Sequence, residues 1–210
     1  MPDFKIENQY SSKIIAGVDE AGRGPWAGPV VAGAVIIKDK NLNPTLLNGL
    51  NDSKKLSVSK RENLYQQLFE AQKADQISIG IGQASVAEID ELNILQATFL
   101  AMHRAIKSLP DIPDIALIDG NQTPKNLDCQ CHCIIKGDAK SYSISAASII
   151  AKVYRDNIMT EISKQYPFYG FEKNAGYGTA THISGLQNYG VIKGIHRLSY
   201  KPIAKILSTE

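Results

Sequence analysis

Four acidic residues stand where a core-forming chain has least use for charge. Asp19 and Glu20 end the apolar run from Lys13 to Val18. Asp119 ends Ile115-Ala116-Leu117-Ile118 and is followed by Gly120, and Asp138 follows Ile134-Ile135 in Lys136-Gly137-Asp138. Strand ends in an open α/β sheet can converge on one point, which is how such sheets build sites. An Asp at a strand end also serves as a turn residue that caps backbone amides. That reading holds for any one of the four and weakens when three strand ends all finish in acid. Two carboxylates about 4 Å apart repel by about 4 kcal/mol at an effective dielectric near 20, so a cluster of them takes up protons or binds cations. Hard oxygen ligands with no histidine among them favour Mg²⁺ or Mn²⁺ over Zn²⁺. Two such ions roughly 3.5–4 Å apart clamp an in-line attack on a phosphodiester, one activating water and the other stabilising the leaving oxygen.

The geometry carries a constraint. Neighbouring residues on a regular strand face opposite sides, so Asp19 and Glu20 share a site only if the chain leaves the strand there. Gly22 and Gly24 permit that departure. Gly22, Gly24 and Ala27 also fall in register with a dinucleotide-binding pattern, but that pattern demands a helix from the second glycine. Here Pro25 and Pro29 interrupt, and the Val- and Ile-rich segment from Pro29 to Ile37 has strand composition. A strand–turn–strand hairpin fits instead. Its tip, Gly22-Arg23-Gly24, offers bare backbone for close approach of a nucleic-acid strand and a guanidinium whose donor fork matches phosphate.

The elements that must position these groups read as follows. Residues 39–51 are loop. Ser59 to Ala74 is a helix, with Ser59 and Glu62 at capping-box spacing and an apolar stripe of Leu64, Leu68 and Phe69. Ile77, Ile79 and Ile81 alternate as a strand. Ser85 and Glu88 repeat the capping box, and one helix runs from there to Leu109. Residues 115–118 and 132–135 are short strands. Ser143 to Gln165 is a long helix whose Ala146, Ala147 and Ala151 allow close packing on a sheet. A Gly-rich loop, Gly176-Tyr177-Gly178, and helical stretches near 181–190 and 200–208 complete the chain. Strands first, then strands alternating with helices, predict an α/β fold, a mixed β-sheet flanked by helices with a small helical C-terminal part. The expected division is an N-terminal extension over 1–12, a catalytic domain over 13–165 and a helical substrate-binding part over 166–210.

With 210 residues, 43% of them hydrophobic, the chain can bury one sizeable core. No run of about 18 apolar residues is present and residues 1–12 lack an apolar signal core, so a cytoplasmic protein without membrane attachment is expected. Cys129, Cys131 and Cys133 are odd in number and spaced by single residues. That suits neither a disulfide framework nor a zinc site, and reduced thiols are expected. Charge is uneven: residues 1–120 hold 12 Lys+Arg against 15 Asp+Glu, and residues 121–210 hold 11 against 6. An acidic part beside a basic one suits a carboxylate site flanked by a phosphate-binding surface, although an ordinary solvated surface accounts for the charge equally well.

At this point the residues resemble a family. Asp19-Glu20-Ala21-Gly22-Arg23-Gly24 with Ala27-Gly28-Pro29-Val30 looks like the opening motif of ribonuclease HII. Asp52-Ser53-Lys54-Lys55-Leu56, Glu88-Ile89-Asp90 with Asn93-Ile94, Asp119-Gly120-Asn121 and Lys136-Gly137-Asp138 follow in order. Ser145 to Ile149 with Ala151-Lys152-Val153 and Arg155-Asp156 comes next, then Gly176-Tyr177-Gly178-Thr179 with His182, and His196-Arg197-Leu198-Ser199-Tyr200. The series spans nearly the whole chain. The resemblance implies the ribonuclease H-like fold, with Asp19, Glu20, Asp119 and Asp138 as the catalytic carboxylates that hold Mn²⁺ or Mg²⁺. It also implies that Gly22, Arg23, Gly24 and Tyr177 sense the ribose 2′-hydroxyl, and that Lys54 holds phosphate. The implied substrates are RNA–DNA hybrids and DNA duplexes containing ribonucleotides, cut on the 5′ side of the ribonucleotide, by a monomer. The ribonuclease HIII group usually has Gly-Lys-Gly at the hairpin and an N-terminal domain for which about 13 leading residues leave no room. Where many relatives have His-Lys before the Gly-Tyr pair, this chain has Asn174-Ala175, which implies one phosphate contact fewer.

Other residues have quieter expectations. Asp156, beside Arg155 within a helix, suits a helix-surface ion pair, and His182 and His196 suit structural hydrogen bonding at least as well as nucleic-acid contact. Tyr177 between two glycines buries little and suits an exposed stacking role. Two rival functions stay open: a two-metal nuclease for all-DNA junctions, which needs no 2′-hydroxyl sensor, and a non-catalytic nucleic-acid-binding module, for which clustered acids that repel phosphate are a handicap.

Overall fold

A sheet of five strands in the order β3-β2-β1-β4-β5 forms the centre of the computed structural model, which describes residues 1–10, 13–50 and 56–208. The strands are β1 (Ile15–Ala21), β2 (Val30–Ile37), β3 (Ile77–Ala84), β4 (Ile115–Asp119) and β5 (Gln130–Ile134). β1, β2 and β3 pair antiparallel, whereas β4 and β5 run parallel to β1. The helices are α1 (Pro44–Gly49), α2 (Val58–Lys73), α3 (Val86–Leu92), α4 (Ile94–Lys107), α5 (Tyr142–Gln165), α6 (Phe171–Asn174), α7 (Ala180–Tyr189) and α8 (Lys201–Leu207). Among the described residues no helix is long and apolar enough to cross a membrane.

Side-chain alternation along the strands decides which helix covers which face. Ala16 and Val18 of β1, with Ala116 and Ile118 of β4, join Ala97, Ala101, Met102 and Ala105 of α4 in one buried layer. The opposite face belongs to α5. There Gly17 lies so close to the α5 backbone that a Cβ on it would stand 2.2 Å from the carbonyl carbon of Ser143. The small residues Ala146, Ala147 and Ala151, all fully buried, allow the same approach along the helix. Glu7, nearly fully buried, fixes the start of α5 from outside the sheet: its Oε1 accepts from Ser141 Oγ, Ser143 Oγ and the Ser143 amide. A separate apolar cluster of Ala27, Met159, Tyr169, Phe171, Leu186 and Ile203 joins the C-terminal helices to the hairpin between β1 and β2.

Three expected elements differ in detail. The residue 39–51 loop contains α1, capped by the Asn43 side chain with Pro44 in the first turn. The N-cap of α2 is Ser57, whose side chain accepts from the Lys60 amide, two residues before the expected Ser59. The long helix expected from Ser85 breaks at Asn93, where φ is 70° and the side chain caps α4 by accepting from Leu95 and Gln96.

The Ser85–Glu88 capping box forms as expected. Glu88 also pairs with Arg104 at 2.7 Å. The Arg104 guanidinium first, then the Ser85 amide, holds the Glu88 carboxyl down at about 2, from an ordinary 4.5. A depressed carboxyl contributes stability above its unfolded pKa and loses it as pH falls through the folded one. The stability difference between wild type and Glu88→Gln should therefore be largest above pH 4.5 and vanish towards pH 2, in a series of thermal melts. The pair is well solvated, so the difference should stay below about 1 kcal/mol.

Candidate active site

β1 and β4 lie parallel with Val18 opposite Ile118. The next residues, Asp19 and Asp119, therefore reach the same end of the sheet together and, by alternation, on the same face. Asp138 arrives from another segment, the short 3-10 turn Gly137–Ala139 between β5 and α5. One carboxylate oxygen from each of Asp19, Asp119 and Asp138 lies within 4.8 Å of the others. Local hydrogen bonds set their angles: the Glu20 amide donates to Asp19 Oδ1 at 2.7 Å, and the Gly137 amide to Asp119 Oδ1 at 2.6 Å. Ser148, on the face of α5 towards the sheet, also hydrogen-bonds the Asp19 carboxylate.

The electrostatics are those of crowded carboxylates. Asp19 is only 6% exposed. Burial, then the charges of Glu20 and Asp119, raises its carboxyl well above the ordinary aspartate range. At separations up to 4.8 Å, each ionised pair of the trio repels by at least about 3.5 kcal/mol at an effective dielectric near 20. A divalent cation converts that repulsion into attraction, and an all-oxygen, histidine-free donor set suits Mg²⁺ or Mn²⁺. The residues present fit such an ion.

Glu20 stands outside the trio. The departure that Gly22 and Gly24 permit does not occur here: β1 continues through Ala21, with Glu20 opposite Ala32 and Ala21 opposite Val31. Pairing with β2 keeps the strand regular, so Glu20 takes the α4 side. There it lines a cavity of about 160 Å³ with Asp119, Gly120, Asn121, Leu95 and Thr98. Asp119, at the very end of its strand, belongs to both the trio and this cavity. The acids thus straddle the end of the sheet. Arg23 sits next to them, paired with Glu20 at 3.4 Å and half exposed.

Two buried arginines hold the hairpin that carries Gly22, Arg23 and Gly24. Arg155 of α5 donates from Nε to the Pro29 carbonyl, from Nη2 to Ala27 and from Nη1 to Ala175, at 2.9–3.0 Å. Arg197 donates to the carbonyls of Gly22, Arg23, Gly28 and Pro29 and to the Tyr200 hydroxyl. Burial, then the neighbouring Arg197, lowers Arg155 to about 10, so it remains a cation at neutral pH, and burial lowers Arg197 as well. Gly22 is required here: its φ is +99°, and a Cβ would fall 2.0 Å from Arg155 Nε. Arg155 stood out in the sequence only within a motif, beside Asp156, and nothing in its local sequence marks it as buried. Asp156 itself pairs with Lys152 at 2.7 Å and Arg61 at 3.6 Å, the helix ion pair expected of it.

Tyr177 comes to the hairpin from the C-terminal part. It is 50% exposed, and its ring lies against Gly24, where a Cβ would sit 3.3 Å from Cε1. Asn174 has a structural task. Buried, it donates from Nδ2 to the Tyr169 carbonyl at 2.7 Å and accepts from the Gly176 amide at 2.8 Å, shaping the loop that presents Tyr177. Lys54 lies outside the described residues. Cys129, Cys131 and Cys133 are free thiols, and burial raises the pKa of each.

Comparison with known proteins adds to this geometry. The sequence profile of a family described as ribonuclease HII matches residues 16–203. The ribonuclease HII of Jannaschia sp. (strain CCS1) is 52% identical over 206 residues, covering 98% of each chain. That of Parvibaculum lavamentivorans is also 52% identical, over 99% of this chain and 74% of its own length. Among solved structures, ribonuclease H2 from Pyrococcus horikoshii OT3 superposes with a TM-score of 0.74 at 30% identity, covering 93% of this chain and 97% of that one. A ribonuclease HIII, Bst-RNase HIII, solved in complex with Mn²⁺, superposes with a TM-score of 0.72 at 17% identity, over 100% of this chain and 74% of its own, and so shares the fold.

Proposed function

Because the chain belongs to the ribonuclease HII family, and is with it a metal-dependent endoribonuclease, we propose that it hydrolyses the phosphodiester on the 5′ side of ribonucleotides. The substrates are RNA–DNA hybrids and single ribonucleotides embedded in duplex DNA. The observation that carries this reading is the carboxylate trio at the sheet end, beside a hairpin of bare backbone and an exposed tyrosine.

Asp19, Asp119 and Asp138 would hold the cations, Mg²⁺ or Mn²⁺, with Glu20 completing the set from the α4 side. When bound, two such ions supply an activated water and neutralise charge on the leaving oxygen. The chain's own residues do the rest. Asp19 and Asp119 are pinned by backbone amides, so their oxygens are oriented before substrate arrives. The Gly22–Gly24 backbone lets the scissile strand come close, and Arg23 exchanges its exposed pairing with Glu20 for substrate phosphate. Lys54 contributes a further contact to substrate phosphate. The Tyr177 ring packs on the sugar that bears the 2′-hydroxyl, the group that separates RNA from DNA. Products are a 3′-hydroxyl and a 5′-phosphate. The helical part over residues 166–210 serves as the substrate-binding portion.

The test compares initial rates on three duplexes: one with a single ribonucleotide, a full RNA–DNA hybrid, and all-DNA. Cleavage of the first two and not the third is expected, and it should vanish with a chelator. Equal cleavage of all-DNA would point to a DNA-junction nuclease, and binding without turnover to a non-catalytic module. Tyr177→Ala should lower kcat/KM on the single-ribonucleotide duplex by roughly 10- to 100-fold, the worth of one aromatic stacking contact of about 1–3 kcal/mol.

A further inference from the structure

His182 and His196 are both fully buried, and neither belongs to the carboxylate trio. Their ring nitrogens form one unbroken line. The Ile192 amide donates to His196 Nδ1 at 2.8 Å. His196 Nε2 faces His182 Nε2 at 3.0 Å, and His182 Nδ1 lies 3.0 Å from the Tyr177 carbonyl. A backbone amide can only donate and a carbonyl can only accept, so both ends of the line are fixed. His196 Nδ1 must be bare, and its proton sits on Nε2. His182 must then accept at Nε2 and carry its own proton on Nδ1, which donates to Tyr177. Only two neutral rings of opposite tautomer satisfy every contact. Protonating either ring would set two donors face to face. Burial favours the neutral form of both, and lowers His196 to about 4.

The line ends on a residue that needs fixing. Tyr177 is flanked by Gly176 and Gly178, whose backbones restrict its peptide little. Its amide donates to the Asn174 carbonyl at 2.9 Å, and its carbonyl accepts from Thr179 at 2.8 Å as well as from His182. We propose that His182 and His196 are positioning residues for substrate selection, a two-ring relay of fixed tautomers that orients the Tyr177 peptide and thereby seats its ring beside Gly24. This rests on the reading of Tyr177 as the ribonucleotide sensor. It assigns a task to two buried histidines that the cleavage chemistry does not use.

Two substitutions separate positioning from plain core structure. His182→Asn places an amide nitrogen where Nδ1 stood, keeps the bond to Tyr177 and leaves His196 Nε2–H unpaired. His182→Gln places its amide near the former Nε2 and leaves the Tyr177 carbonyl without that donor. Each removes one buried hydrogen bond, so thermal melts should move alike. On the single-ribonucleotide duplex, His182→Asn should stay within about threefold of wild-type kcat/KM, and His182→Gln should fall about tenfold or more, as expected for one lost buried hydrogen bond. Equal losses in the two variants, with Tyr177→Ala impaired, would overturn the relay alone. Wild-type cleavage by Tyr177→Ala would overturn the sensor reading and this proposal with it. Should either variant fail to fold, nitrogen-15 shifts of the wild-type imidazoles decide the matter. Opposite neutral tautomers at pH 7 are expected, and like tautomers or a charged ring would overturn the relay.

Discussion

Asp119→Asn is expected to lower kcat by roughly a thousand-fold, the equivalent of the several kcal/mol that metal-ion catalysis supplies at the transition state. Duplex affinity should stay within a few-fold of wild type. The substitution removes one charge and keeps the shape. Asparagine retains an oxygen that can accept from the Gly137 amide, as Asp119 Oδ1 does at 2.6 Å, so the turn carrying Asp138 keeps its place. What goes is the negative charge shared by the trio and the Glu20 cavity. Cation affinity falls with it, and excess Mn²⁺ should restore only part of the rate. The phosphate-gripping residues are untouched, and fewer acids beside phosphate favour binding if anything. Single-turnover rates with a parallel gel-shift titration would show the split. Wild-type kcat in this variant would remove Asp119 from the chemistry.

Arg197→Met is expected to be the costliest single change to stability, about 3–5 kcal/mol, the range for breaking a buried charged network. The guanidinium is fully buried, and the Gly22 and Gly28 carbonyls depend on it. Arg23 keeps a bond from the Tyr200 hydroxyl and Pro29 one from Arg155, so only part of the network collapses. An orphaned part-buried acceptor costs about 1–3 kcal/mol. For a chain of this size the melting temperature should drop by roughly 10 °C. Lysine should not rescue it, because one ammonium cannot span four carbonyls in different directions. Because those carbonyls belong to the hairpin, catalysis should fall even at temperatures where the variant is folded. A melting temperature within about 3 °C of wild type would show that the hairpin is held by other means.

Much of the site could be read from sequence because apolar strands ending in acid are chemically odd. Ile115 to Ile118 followed by Asp119-Gly120, and Ile134-Ile135 followed by Gly137-Asp138, needed no alignment to be noticed. The order of the strands was out of reach. β1 pairs with β4 across nearly a hundred residues, and that choice is made by α4 and α5 packing on opposite faces. The conformation at Asp19-Glu20 has the same root. Glycines downstream permitted an early exit from the strand, but pairing with Ala32 and Val31 of β2 is a tertiary fact, and it keeps the two acids on opposite faces. Local signals were ambiguous where two residues could serve. Ser57 and Ser59 are both N-cap types, and only Ser57 faces the Lys60 amide. Asn93 was read within a helix, although its side chain is suited to capping and tolerates the positive φ found there. Arg155, Arg197 and Ser148 were legible only as parts of motifs, since nothing local says that a charged side chain will be buried against carbonyls.

The most direct measurement maps the cut in a DNA duplex carrying one ribonucleotide, with Mg²⁺ or Mn²⁺ supplied. A single incision immediately 5′ of the ribonucleotide, leaving a 3′-hydroxyl and a 5′-phosphate and abolished by chelation, is the expected result. Incision elsewhere, or the same incision in the presence of chelator, would contradict the assignment of Asp19, Asp119 and Asp138 to a cation-held phosphodiester site.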